Sequence, residues 1–205
     1  MKNNWSEHAA KQFIKKYTAR GCTEALALRV YTTQLLGKNP KLVLHGGGNS
    51  SVKTEAKDID SKTYKVLCVK GSGWDMGDIE PEGLPAVKLD PLLRMVNRKK
   101  LSDEDMVNFQ KRNLLDIKSP NPSVETFLHA FLPHKFVDHT HADAILDITN
   151  RPDGLKQCRK IFGSKVGYVP YIMPGFLLAK KVYETYQKNP NVNCLILLNH
   201  GIFTF

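Results

Sequence analysis

Followed for where apolar residues recur, the chain switches repeatedly between a helical and a strand period. Residues 5–20 set apolar side chains on one stripe of a basic helix, which Gly21 closes. A second helix starts at Thr23 or Cys22, runs through Glu24-Ala-Leu-Ala-Leu-Arg-Val-Tyr to about Leu36, and stops at Gly37 and Pro40. Short apolar runs at 42–45, 52–53 and 64–69 read as strands, and the charged segment 54–62 as an exposed loop. Residues 74–122 form an excursion with Pro81, Gly83 and Pro85, a helix near 88–97, and a helix capped by Ser102 with Asp103, Glu104 and Asp105 in its first turn.

Pro122 and Ser123 then open a helix with Glu125 in its first turn. Residues 135–141 alternate as a strand, 142–148 form a short helix, and another helix after Arg151-Pro-Asp153-Gly reaches about Phe162. Strands at 166–169 and 192–198 flank a helix over 176–187, and 202–205 returns as a last strand. No repeat, low-complexity tract or linker interrupts this. The irregular alternation predicts an α/β (α+β) sandwich around a mostly antiparallel sheet.

Composition narrows the class. A chain of 205 residues with 41% apolar and 24% charged side chains is one ordinary water-exposed domain with a real core. The formal charge of +10 would suit nucleic acid, an anionic membrane or an anionic small substrate. The lysines are scattered, as at Lys15-Lys16, Lys99-Lys100 and Lys180-Lys181, with no aromatic-interleaved stripe, which argues against nucleic acid. No run approaches membrane-spanning length, and Met1-Lys-Asn-Asn-Trp-Ser lacks the apolar core of a signal peptide. Cys22, Cys68, Cys158 and Cys194 form no C-x-x-C and read as buried thiols in a reducing compartment. A cytoplasmic location is therefore expected.

The chemistry gathers at Phe136-Val-Asp-His139-Thr-His141-Ala-Asp143. On a strand, positions i and i+2 share a face and lie roughly 6.5–7 Å apart. Two imidazoles so placed can converge on one ion, with Asp138 or Asp143 available to orient a ring. An H-x-H alone is weak, since such pairs are commonly incidental. A third candidate, His200, follows an apolar run and precedes Gly201; three protein ligands with one open position is the catalytic zinc pattern.

Two small-residue loops follow strand-like runs. Gly46-Gly47-Gly48-Asn49-Ser50-Ser51 can crowd amide N–H groups around an anion, although a bare glycine triplet reads first as a flexible hairpin loop. Lys70-Gly71-Ser72-Gly73 is a second such loop, with Lys70 as a possible fixed charge. Ser123 and Glu125 are either an ordinary cap with an early acid, or a phosphate-binding helix start with a base. His129 reads as a packed or polar helix residue rather than a ligand.

In order, Gly-Gly-Gly-Asn-Ser, Lys-Gly-Ser-Gly, Pro-Ser-x-Glu, His-Thr-His-x-Asp and Asn-His-Gly resemble the class II aldolase/adducin family. The wording of His-Gly-Gly-Gly-Asn-Ser-Ser-Val-Lys-Thr-Glu, Glu-Thr-Phe-Leu-His-Ala-Phe-Leu-Pro and Val-Asp-His-Thr-His-Ala-Asp-Ala-Ile is most similar to the aldolase part of bifunctional rhamnulose-1-phosphate aldolase/lactaldehyde dehydrogenases. The resemblance implies a three-layer sandwich and a metal-dependent lyase that cleaves a phosphorylated ketose to dihydroxyacetone phosphate and an aldehyde. It implies that His139, His141 and His200 hold a divalent metal, usually zinc. Glu125 would be the acid/base, and Gly48, Asn49, Ser72, Gly73 and Ser123 would hold the phosphate. A homotetramer is implied by the same similarity. An epimerase or dehydratase on a sugar phosphate would use the same site, while a non-catalytic adducin-like module would lack the histidines.

Three departures stand out. Val124 replaces a frequent second serine, Lys70-Gly71 replaces the usual Thr-Pro, and the 74–122 excursion is long. Phe205 falls within a strand without a closing helix, and no G-x-G-x-x-G follows a strand. The expectation is one family domain over 1–205, shortened relative to members that carry a dehydrogenase domain beyond it.

Overall fold

The computed structural model describes residues 3–205. Two helices lead, α1 (Glu7–Thr18) and α2 (Glu24–Gly37), each started by a hydroxyl that accepts a backbone N–H: Ser6 from Ala9 and Thr23 from Leu26. A hairpin follows, β1 (Asn49–Lys57) and β2 (Thr63–Val69), then the short β3 (Ala86–Lys88). The helices α3 (Leu89–Arg94), α4 (Asp103–Arg112) and α5 (Thr126–Phe131) precede β4 (Phe136–Thr140). The remainder is α6 (Asp143–Thr149), α7 (Gly154–Phe162), β5 (Val166–Val169), α8 (Phe176–Lys188), β6 (Cys194–Leu197) and β7 (Gly201–Thr204).

Among the described residues the seven strands form one sheet in the order β3-β2-β1-β4-β7-β6-β5. Each neighbouring pair is antiparallel except β5 with β6, which α8 connects as a crossover. Alternation along β2 fixes the layers. Val66 and Cys68 face a core shared with Tyr17, Ala27 and Val30 of α1 and α2. Leu67 and Val69 face the opposite core, with Leu92, Phe127, Leu128, Phe176 and Val182 from α3, α5 and α8. Helices thus cover both faces, and the three-layer α/β sandwich with a mostly antiparallel sheet is what the chain adopts.

Two local expectations fail. Residues 42–45 are turn rather than strand: the Leu42 and Val43 N–H groups both donate to the Asn39 carbonyl, and His45 and Gly46 take φ of 49° and 73°. The first strand begins only after the glycines, and it continues through the charged residues 54–57 that suggested a loop. Those charges sit on the outer half of a hairpin, where Glu55 faces Lys65 across the pair, so polarity there marks exposure rather than irregular backbone. Cys68 and Cys158 are buried, but Cys22 and Cys194 are only partly so. No helix among the described residues is long and apolar enough to cross a membrane.

Candidate active site

β1 and β4 pair antiparallel with Asn49 opposite His139, so the strand entering from the glycine loop delivers its first side chain beside the histidine strand. Gly48, at φ 65°, makes that approach possible: a Cβ there would lie 2.7 Å from the His139 carbonyl oxygen. On the other side, β7 pairs with β4 and is entered by a tight turn, in which Asn199 adopts φ 59° and the His200 N–H donates to the Leu197 carbonyl. Gly201 completes it, since a Cβ would meet the Thr140 carbonyl oxygen at 2.4 Å and the His139 ring at 3.0 Å. The Asn-His-Gly sequence is therefore the means by which a third imidazole is set against the first two.

His139 is fully buried on the sheet, stacked on Phe203 at 4.3 Å between ring centroids. Its Nδ1–H donates to the Ile202 carbonyl at 3.1 Å, which turns the Nε2 lone pair toward His141, whose Nε2 is 2.9 Å away. One ring nitrogen from each of His139, His141 and His200 lies within 4.8 Å of the others. Tetrahedral ligation at zinc–nitrogen distances needs ligand spacings of about 3.3–3.4 Å, so small ring movements suffice. The donor set also suits a divalent cation electrostatically. Burial pushes His139 down to about 3 and His200 to about 4, and lowers His141, so all three are neutral donors at neutral pH. The buried Nδ1 of His200 has no hydrogen-bond partner, while its Nε2 faces Glu125.

The aspartates do not orient these rings. Asp138, next to His139 in a strand, points to the opposite face and pairs with Arg29 at 2.8 Å, and Asp143 begins α6. The orienting acceptor is a backbone carbonyl, which no residue pattern announces.

Glu125, immediately before α5, is 4% exposed and stands beside the imidazoles. Its Oε2 is 3.4 Å from His139 Nε2 and its Oε1 is 3.5 Å from His200 Nε2. The Asn49 Nδ2–H donates to Oε2 at 2.7 Å, while Oε1 has no hydrogen-bond partner. Burial raises the carboxyl pKa, against the lowering effects of His200 and of the Asn49 hydrogen bond. Asn49 also donates to Ser123 Oγ at 3.2 Å and accepts at Oδ1 from His129 Nε2–H at 2.5 Å. Ser51 Oγ–H closes the chain by donating to His129 Nδ1 at 2.8 Å. His129 is therefore packed, not a ligand, but it is tied to the carboxylate through one amide.

A bridge between Gly71 and Pro122 brings the second small-residue loop against the start of α5. The result is a hollow of about 370 Å³, lined by Gly48, Asn49, Ser72, Gly73, Ser123, Glu125, His141 and His200. All five residues expected around a phosphate reach this one cavity, although the Asn49 amide is committed to Glu125, Ser123 and His129.

The model of the Class II Aldolase and Adducin N-terminal domain matches residues 28–205. The chain belongs to this family. It is 37% identical over its full 205 residues to an uncharacterized oxidoreductase, YuxG, of Bacillus subtilis, and spans 28% of that protein's length. The structure of an N-terminal class II aldolase domain from Thermoplasma acidophilum is 41% identical, with a TM-score of 0.86 over 100% of this chain and 89% of that one. L-fuculose-1-phosphate aldolase from Thermus thermophilus is 17% identical, with a TM-score of 0.52 over 86% of this chain and 78% of that one, a likeness of fold alone.

Proposed function

We propose that this class II aldolase domain, residues 1–205, catalyses reversible aldol cleavage of a phosphorylated ketose, with rhamnulose 1-phosphate as the leading substrate and dihydroxyacetone phosphate and an aldehyde as products. The observation that carries the reading is the Glu125 carboxylate, buried at 3.4–3.5 Å from two of three clustered imidazoles and facing a cavity walled by small-residue loops. His139, His141 and His200 would hold a divalent ion, zinc by their all-nitrogen donor set. When bound, such an ion supplies Lewis acidity toward adjacent substrate oxygens.

The rest of the work falls to the chain. In cleavage the bond between C3 and C4 breaks. The electron pair stays on the three-carbon fragment as an enediolate, and the C4 hydroxyl gives its proton to solvent as the aldehyde forms, solvent later reprotonating Glu125. Glu125, whose proton affinity is raised by burial, delivers a proton to C3, and takes it back in the condensation direction. Asn49 fixes the carboxylate's direction through Oε2. Ser72, Gly73, Ser123 and Gly48 hold the phosphate, which orients the reacting end. The named activity of the Thermus relative is of the same type. Assembly as a homotetramer is part of this proposal.

Glu125→Gln tests the assignment. The variant should retain the metal content of the parent by elemental analysis and lose about 10²–10⁴-fold in cleavage rate. Undiminished turnover would remove Glu125 from the mechanism. A panel of ketose phosphates, with epimer and dehydration products assayed in parallel, tests the reaction class; epimerisation without aldehyde release overturns the aldolase reading.

A further inference from the structure

Lys70 is one residue beyond β2 and forms part of the cavity wall. Its N–H donates to the Ser50 carbonyl at 3.0 Å and its own carbonyl accepts from the Ser123 N–H at 3.1 Å, so its backbone joins two walls of the hollow. Its side chain is almost wholly enclosed, with the residue 5% exposed. The Nζ donates to the Gly46 carbonyl at 2.9 Å, which uses one of three ammonium donors.

No carboxylate oxygen among the described residues comes within 4.0 Å of Nζ. Asp75, exposed and already accepting the Gly46 N–H at 3.2 Å, acts on it only through space. Burial lowers the lysine's pKa, and Asp75 opposes this. A buried cation with no ion pair is unfavourable until an anion joins it. Lys70 is the one ammonium or guanidinium lining the hollow among the described residues, and Glu125 is its one carboxylate.

We propose that Lys70 is the counter-cation for the substrate's phosphoryl group, and that it sets the preference for phosphorylated over unphosphorylated ketoses. This rests on the sugar-phosphate reading above and adds a charged contact to neutral donors. Gly71 keeps the lysine in place, because a Cβ there would lie 2.8 Å from the Pro120 ring. The loop therefore presents a charge where Thr-Pro would present a hydroxyl.

The test uses purified protein carrying whatever metal it retains, with inorganic phosphate as probe and thermal unfolding as readout. The parent should be stabilised by phosphate. Lys70→Met should bind it about tenfold more weakly or worse, and Lys70→Arg should recover most of the loss. Lys70→Gln keeps a donor for the Gly46 carbonyl without the charge; phosphate binding at parental strength in this variant would make the lysine's role structural and overturn the proposal. On a sugar phosphate that the parent cleaves, Lys70→Met should raise KM more than it lowers kcat. The ratio of its kcat/KM for the phosphate ester to that for the unphosphorylated ketose should fall about tenfold or more below the parent's ratio. An unchanged KM for the phosphate ester refutes the role of Lys70 and leaves the aldolase reading standing. A parent that neither binds phosphate nor turns over any ketose phosphate refutes both.

Discussion

Asn49 has three hydrogen-bonding partners, and each constrains the next. The Glu125 oxygen it faces needs an N–H, so the amide's oxygen is turned to His129, whose Nε2 must then carry the proton. Ser51 supplies the matching donor to Nδ1. His129 is fully buried and its pKa is driven well down by burial, so it stays a neutral donor at one nitrogen and acceptor at the other. His129→Leu should leave the Asn49 oxygen unsatisfied, free the amide to turn, and lower kcat about tenfold or more with metal content and KM little changed. His129→Gln, which can still donate from its amide, should restore most of kcat. A leucine variant with parental kcat would mean that the amide holds its direction without the imidazole. At this scale residue type was legible and orientation was not. Histidines at i and i+2 on a strand, and a carboxylate at a helix start, announce themselves by spacing. The Ser51-His129-Asn49 chain joins residues about eighty positions apart, and the Ile202 carbonyl that orients His139 carries no sequence signal.

The elements are held in register by one buried guanidinium. Arg29 of α2 is 2% exposed, pairs with Asp138 of β4 at 2.8 Å, and donates to the carbonyls of Ser51 and Val137. It thus ties a helix to two strands, β1 and β4, directly behind the site. Breaking a buried pair from one side costs about 3–5 kcal/mol, and Asp138 is partly exposed, which reduces this. Asp138→Asn should therefore lose about 1–3 kcal/mol by urea unfolding and weaken metal retention, because His139 sits on the same strand. A variant as stable as the parent would show that the Ser51 and Val137 carbonyls and the Thr32 hydroxyl suffice to hold Arg29. The helices were readable from caps and period: Ser102 accepts from Asp105 as its spacing suggested. The segment around 42–45 was misread because Leu-Val-Leu satisfies a strand pattern, while the positive φ of His45 follows from the turn that the fold requires there.

The whole molecule gathers its candidate ligands from the end of one strand, the residue just beyond it and one distant turn, with the carboxylate supplied by a third segment. Stability, acid and metal should therefore be coupled. Burial, the first cause in each case, lowers the pKa of His129, His139, His141 and His200 below the ordinary 6.5, to about 3 for His139 and about 4 for His200. Between those values and 6.5 the unfolded chain binds more protons than the folded one, so their contribution is complete above pH 6.5 and is lost as the pH falls. Glu125, with a raised pKa, works in the opposite direction, but it is one group against four. Chelator-treated protein should thus unfold at a lower temperature at pH 5.5 than at pH 7.5. A metal that binds only the folded state at a hundred times its Kd adds about 2.7 kcal/mol, roughly 5–10 °C in Tm for a domain of this size. Because burial already holds His139 and His200 neutral in the folded chain, zinc should restore that increment at pH 7.5. The His139→Ala, His141→Ala, His200→Ala triple variant should show none of it. An equal zinc-dependent rise in the triple variant would place the ion elsewhere, and an apo protein indifferent to acid would contradict the burial of the four rings.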